Sequence, residues 1–218
     1  MYKCVIFDLD GTLIDTLDDL KKGINFALKE LGYNISYTKE ETKMLIGEGT
    51  RNLCKRAIKN IPHSEEQEEI LFKEFTKQYK LHQLDDTAPF YHVEELLKEL
   101  KNNNIKTAVL SNKVEQNVID ILNYLKLDSY FEIIRGQRKD IPLKPNPESL
   151  NMLIKDLGFN KEDILYVGDS DVDMIVSKNA NVDVCAVTYG YRDIELLKKY
   201  IPKYIISDPL EIIKLVKE

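Results

Sequence analysis

An α/β fold, built on a parallel sheet and interrupted by a helical insert, is the class this sequence predicts. Two observations predict it. From residue 90 onward short apolar runs alternate with amphipathic helical patterns, the signature of successive right-handed βαβ units. Between residues 16 and 86 the alternation stops and almost no strand signal remains, so an all-helical piece follows the first strand. A chain of 218 residues with 43% hydrophobic content can fill one ordinary α/β core and carry a modest insert.

The first run, Lys3 to Asp8 (KCVIFD), reads as a buried parallel strand because its apolar residues are continuous. In the insert, Leu17, Leu20, Ile24, Leu28 and Leu31 make one helical stripe, ended by Gly32. Thr16 with Asp19, Thr38 with Glu41 and Ser64 with Gln67 have the spacing of capping boxes. Ile70, Leu71, Phe75 and Leu81 mark another helix face, and Phe72, Phe75 and Tyr79 are expected in the core. The run Glu65, Glu66, Glu68 and Glu69 reads as a solvated face.

Beyond the insert, Val93, Leu96, Leu97 and Leu100 fit one helix, and Val114, Val118, Ile121, Leu122 and Leu125 a second. Further strands are expected at Ile105–Leu110, Phe131–Ile134, Asp163–Val167, Val184–Val187 and Tyr204–Ile206. Asn146-Pro147 is a helix start and Gly158 a stop. The expected division is a core of residues 1–15 and 87–218 and a cap of residues 16–86, with hinges at Leu13–Thr16 and around Asp85–Pro89.

Charge narrows the partners. With 31 basic against 37 acidic residues and a net charge of -6, the chain lacks the basic excess that nucleic acid requires. The cysteines, Cys4, Cys54 and Cys185, have no Cys-x-x-Cys spacing and read as reduced core thiols. His63, His82 and His92 are dispersed and suggest no metal site. The N-terminal residues lack a signal-peptide pattern and no apolar run could span a bilayer, so no membrane partner and a cytoplasmic location are expected, as monomer or homodimer.

Ligands of open parallel sheets bind beyond the carboxyl ends of the strands. There the sequence presents Asp8-Leu9-Asp10-Gly11-Thr12, then Ser111-Asn112-Lys113, then Lys144-Pro145-Asn146-Pro147, then Gly168-Asp169-Ser170-Asp171-Val172-Asp173. Carboxylates gathered on one edge repel unless a cation sits among them, and oxygen ligands without histidine or cysteine suit Mg2+. An aspartate is ionised at neutral pH and can attack phosphorus without a base, so Asp8 is a candidate nucleophile. Asp10 could act in turn as acid and base. Ser111 and Asn112 can donate to phosphoryl oxygens, with Thr12 a further candidate, and Lys144 balances charge. Lys113 is read as a surface charge at a helix start in preference to a second phosphate contact, and Asp171 as a first-turn helix acid.

DLDGTLIDT, SNK, KPNP and GDSDVD resemble the four ordered motifs of the haloacid dehalogenase superfamily of phosphatases. The resemblance implies a Rossmann-like core, Asp8 as nucleophile, and Asp10 as acid/base that also gives a backbone carbonyl to magnesium. It implies Asp169 as a metal ligand, Asp173 as a metal-site residue or a partner of Lys144, and Ser111 and Lys144 as phosphate binders. True dehalogenases lack an aspartate at the position of Asp10, so phosphoryl transfer is expected.

The insert is similar to the small helical cap of one subclass, and IGEGTRNL, APFYHVEELLKEL and VTYGYRD look like its phosphoglycolate phosphatase branch. Arg51 is then either a contact for a substrate carboxylate or a solvated helix residue. His92 and Asn181 stand where that branch commonly has glycine. The expected substrate is a small phosphorylated metabolite, with 2-phosphoglycolate first. The alternatives are a sugar phosphomutase, a pyrophosphatase or nucleotide phosphatase, and a non-catalytic scaffold.

Overall fold

The apolar runs become one parallel sheet. The computed structural model describes residues 1–139 and 141–217. Its chain begins with β1 (Cys4–Phe7), the two-residue strand β2 (Ile14–Asp15), and helices α1 (Leu17–Glu30), α2 (Lys39–Lys43), α3 (Thr50–Ile58) and α4 (Glu65–His82). Next come β3 (Ala88–Pro89), α5 (Val93–Asn102), β4 (Lys106–Val114), α6 (Glu115–Tyr124), β5 (Ile133–Gln137) and α7 (Glu148–Leu157). The last elements are β6 (Ile164–Gly168), α8 (Asp171–Ala180), β7 (Asp183–Val187), α9 (Ile194–Lys198), β8 (Tyr204–Ile206) and α10 (Ile212–Leu215). The chain divides into two compact units, Met1–Asp15 with Pro89–Glu218, and Thr16–Ala88.

In the α/β unit the six strands lie in the order β5-β4-β1-β6-β7-β8, and every pair is parallel. The winding reverses at β1, whose neighbours β4 and β6 lead outward in opposite directions. The pleat sends Cys4 and Ile6 to one face and Val5 and Phe7 to the other, and all four are at most 1% exposed. That two-sided burial is why the run is continuously apolar. Leu150 and Leu153 of α7, Met174 and Val176 of α8 and Leu197 of α9 cover the face of Cys4 and Ile6. Helices α5 and α6 pack on β4. Gly158 ends α7 and Asn181 ends α8, each in the left-handed conformation. The residue preceding α5, His92, is also left-handed (φ 67°) and its Nδ1 lies 2.7 Å from Asp208 Oδ2. A side chain at either non-glycine position adds strain that glycine would avoid, and Asn bears it better than most.

The helical unit has its own core. Leu20, Ile24, Ala27 and Leu28 of α1 meet Leu53, Ala57 and Ile58 of α3 and Leu71, Phe75 and Tyr79 of α4. The face of α4 is the one marked by Leu71, Phe75 and Tyr79 at i, i+4 spacing; Ile70 and Leu81 fall outside it and are 44% and 69% exposed. Capping boxes form at Thr38/Glu41 and Ser64/Gln67. At Thr16 no side-chain cap forms. Asp19 is fully buried instead and accepts from the backbone N–H groups of Asp86 and Thr87 and from the Thr87 hydroxyl at 2.8–3.1 Å. The three cysteines are free and buried, and among the described residues no helix is long and apolar enough to cross a membrane.

Candidate active site

The end of β1, where the winding reverses, gathers the candidate residues. Asp8 follows the strand, with its backbone N–H bonded to the Val167 carbonyl of β6 at 2.9 Å. One carboxylate oxygen, Oδ1, accepts from the Leu9 N–H at 2.7 Å and lies 2.9 Å from Lys144 Nζ. The chain then turns tightly, with the N–H groups of Leu13 and Ile14 both bonded to the Leu9 carbonyl at 3.0 Å. Gly11 has φ +84°, and a Cβ there would overlap the Asp169 carboxylate.

Asp169 leaves β6 and is clamped by Thr12 Oγ1 (3.2 Å) and the Tyr191 N–H (2.7 Å). Asp173 lies in the first turn of α8, where Ser170 caps the helix and donates its N–H and hydroxyl to Asp173 Oδ2. The other oxygen, Oδ1, accepts from Lys144 Nζ at 2.8 Å and from the Tyr166 hydroxyl at 3.0 Å. Lys144 thus bridges Asp8 and Asp173. Asn112 fixes its backbone, donating to the Lys144 carbonyl and accepting from the Lys144 N–H, both at 2.8 Å. Ser111 is buried beside them and its hydroxyl accepts from the Lys113 N–H at 3.2 Å.

One carboxylate oxygen from each of Asp8, Asp169 and Asp173 can be chosen so that the three lie within 4.8 Å of one another. Burial raises the Asp8 carboxyl well above its ordinary range and the Asp173 charge adds to it, against the pull of Lys144. Burial and Asp173 likewise lift Asp169 to about 7. Burial pulls Lys144 down, but Asp173 and Asp8 outweigh it and hold the ammonium above its usual value. Three buried carboxyl groups lie together and one lysine pairs with two of them, and that surplus of negative charge fits a hard divalent cation held by oxygen.

The structure brings Asp8, Asp10, Thr12, Ser111, Asn112, Lys144, Asp169 and Asp173 into the α/β unit at one edge. Arg51 belongs to the helical unit, where its Nη1 is 2.5 Å from Glu69 and its guanidinium lies 4.0 Å over the Phe72 ring. Lys113 corrects the sequence reading. It is no surface charge, being 7% exposed, and its Nζ meets both oxygens of Asp10 at 2.8 and 2.9 Å. Asp171 opens α8 and pairs with Arg192 at 3.3 Å.

Sequence reasoning gave no role to Tyr166, Tyr189 or Gly190. A lone hydroxyl in the fully buried strand ILYVG is a signal for Tyr166, because such a group needs a partner. Gly190 is required because a Cβ would overlap Asp169 and the Gly11 carbonyl, while the Tyr189 hydroxyl donates to the Thr12 carbonyl at 3.1 Å.

Fold and site together define a protein of the α/β class that gathers aspartates and a lysine at the carboxyl edge of a parallel sheet. The chain belongs to the haloacid dehalogenase-like hydrolases, whose family model matches residues 5–187. It is 34% identical to the phosphoglycolate phosphatase of Aquifex aeolicus over 98% of this chain and 96% of that one. It is 30% identical to pyrophosphatase PpaX of Oceanobacillus iheyensis over the same shares. A crystal structure of a predicted phosphoglycolate phosphatase from Haemophilus somnus superposes with a TM-score of 0.90 at 28% identity, covering 98% of this chain and 97% of that chain.

Proposed function

We propose that this phosphatase of the haloacid dehalogenase-like family hydrolyses a small phosphate monoester, 2-phosphoglycolate first among them, through an aspartyl-phosphate on Asp8. The observation that carries the reading is the buried bridge from Asp8 through Lys144 to Asp173, set at the reversal of the sheet. Asp8 Oδ attacks phosphorus, the ester P–O bond breaks, and the Asp10 carboxyl gives its proton to the leaving oxygen. The Asp10 carboxylate then takes a proton from water, whose oxygen attacks phosphorus and frees Asp8 and inorganic phosphate.

Lys144 and Ser111 hold the phosphoryl oxygens, Asn112 fixes Lys144, and Thr12 orients Asp169. Asp8, Asp169 and the Asp10 backbone carbonyl would hold magnesium, which neutralises charge on the phosphoryl group when bound. Both oxygens of Asp173 already accept from protein donors, which favours its role as the support of Lys144.

Pyrophosphate is the second reading, supported by the Oceanobacillus relative. Magnesium-dependent phosphate release from 2-phosphoglycolate, pyrophosphate, hexose phosphates and nucleotides separates the readings, with Asp8→Asn as control. Preference for 2-phosphoglycolate, absent in Asp8→Asn, is expected. Preference for another compound replaces the substrate. Phosphoryl transfer between sugar hydroxyls without release overturns hydrolysis.

A further inference from the structure

Lys113 has no part in the chemistry described so far, yet it is among the most enclosed lysines of the chain. Its side chain is 5% exposed and that of Asp10 is 13% exposed, and the ammonium grips both carboxylate oxygens. Immobilising a four-carbon side chain and stripping water from its charge is costly, and a single solvent-screened pair would not repay it.

The backbone is shaped for this contact. On β4 the residues Leu110 and Val114 pair with Arg135 and Gln137 of β5, so four steps on one strand answer two on the other. Ser111, Asn112 and Lys113 occupy that bulge, which breaks the alternation of side chains and re-aims them. Opposite stands Gly136, where a Cβ would overlap Glu115 Cα and come within 2.7 Å of the Lys113 carbonyl. The N–H of Gly136 donates to Glu115 Oε2 at 3.2 Å, which seats the start of α6 on the same spot.

We propose that Lys113 is a positioning residue that holds the Asp10 carboxyl toward the leaving oxygen of the substrate. Nζ holds the carboxyl group through both oxygens, and passing the proton to the ester requires one of those two contacts to open. The proposal rests on the hydrolytic reading above.

The test compares kcat/KM on two monoesters with magnesium present. 2-Phosphoglycolate must protonate its alkoxide to leave, whereas p-nitrophenyl phosphate releases a stable anion unaided. For Lys113→Gln the expected loss is about 10²-fold on 2-phosphoglycolate and under about threefold on the aryl ester. Lys113→Arg, which keeps a donor and charge, should recover part of the gap and guards against misfolding of the Gln variant. Equal losses on both esters, or no loss on either, overturn the proposal. Wild-type protein that cleaves neither ester overturns the hydrolytic reading instead.

Discussion

Each unit of this protein buries aspartate, and the two treat it in opposite ways. Asp19 in the helical unit is 0% exposed and receives two backbone N–H groups and a hydroxyl, with Lys22 at 3.9 Å. It ties the start of α1 to the segment after α4. Asp8, Asp169 and Asp173 in the α/β unit are also buried, Asp8 least at 9% exposed, but face one another. A buried charge with its own donors holds a fold together; buried carboxyls set against each other suit the cation and anionic ligand proposed above.

The sharpest break of that comparison is Asp8→Asn. Phosphate release should fall by about 10⁴-fold or more, as for loss of a nucleophile, while the melting temperature stays level or rises because one repelling charge is gone. A large fall in melting temperature would put Asp8 in the class of Asp19.

Next in size is a pH effect. Asp169, raised to about 7, keeps a proton in the fold that the unfolded chain has released above about pH 4. Its contribution to stability is therefore full below pH 4 and is lost as pH rises through 7, by a few kcal/mol in total. Urea midpoints in chelator should show this slope in wild type relative to Asp169→Asn. Magnesium affinity should run the other way, weakening by up to about tenfold per unit below pH 7 as the ligand takes its proton.

Asp19→Ala should cost about 3 kcal/mol, read as a urea midpoint shift, because it strands buried N–H donors. Magnesium affinity by calorimetry should not change. The smallest effect is that of Arg51→Ala, whose solvent-screened pair with Glu69 is exposed enough that the melting temperature should barely move.

The same contrast marks what could be read from the sequence. The sheet was legible because strands buried on both faces leave continuous apolar runs, as Cys4–Phe7 and Ile164–Gly168 do. The helix face of α4 was misread because apolar residues stand at Ile70 and Leu81 as well as at Leu71, Phe75 and Tyr79, and only packing against α1 chooses between the phases. Asp19 has the spacing of a capping box, but its partners lie 67 and 68 positions away, beyond any local pattern. Lys113 meets Asp10 across 103 positions and two strands, and the bulge that aims it depends on a glycine in a third segment.

The spread of the site along the chain sets a schedule for its manufacture. Asp8 is made well before Tyr191, whose N–H clamps Asp169. At roughly 5–20 residues per second the ribosome needs on the order of ten to forty seconds to pass from one to the other. During that interval the growing polypeptide holds Asp8 without the clamp on Asp169, so the carboxylate cluster is completed only after Tyr191 has been made.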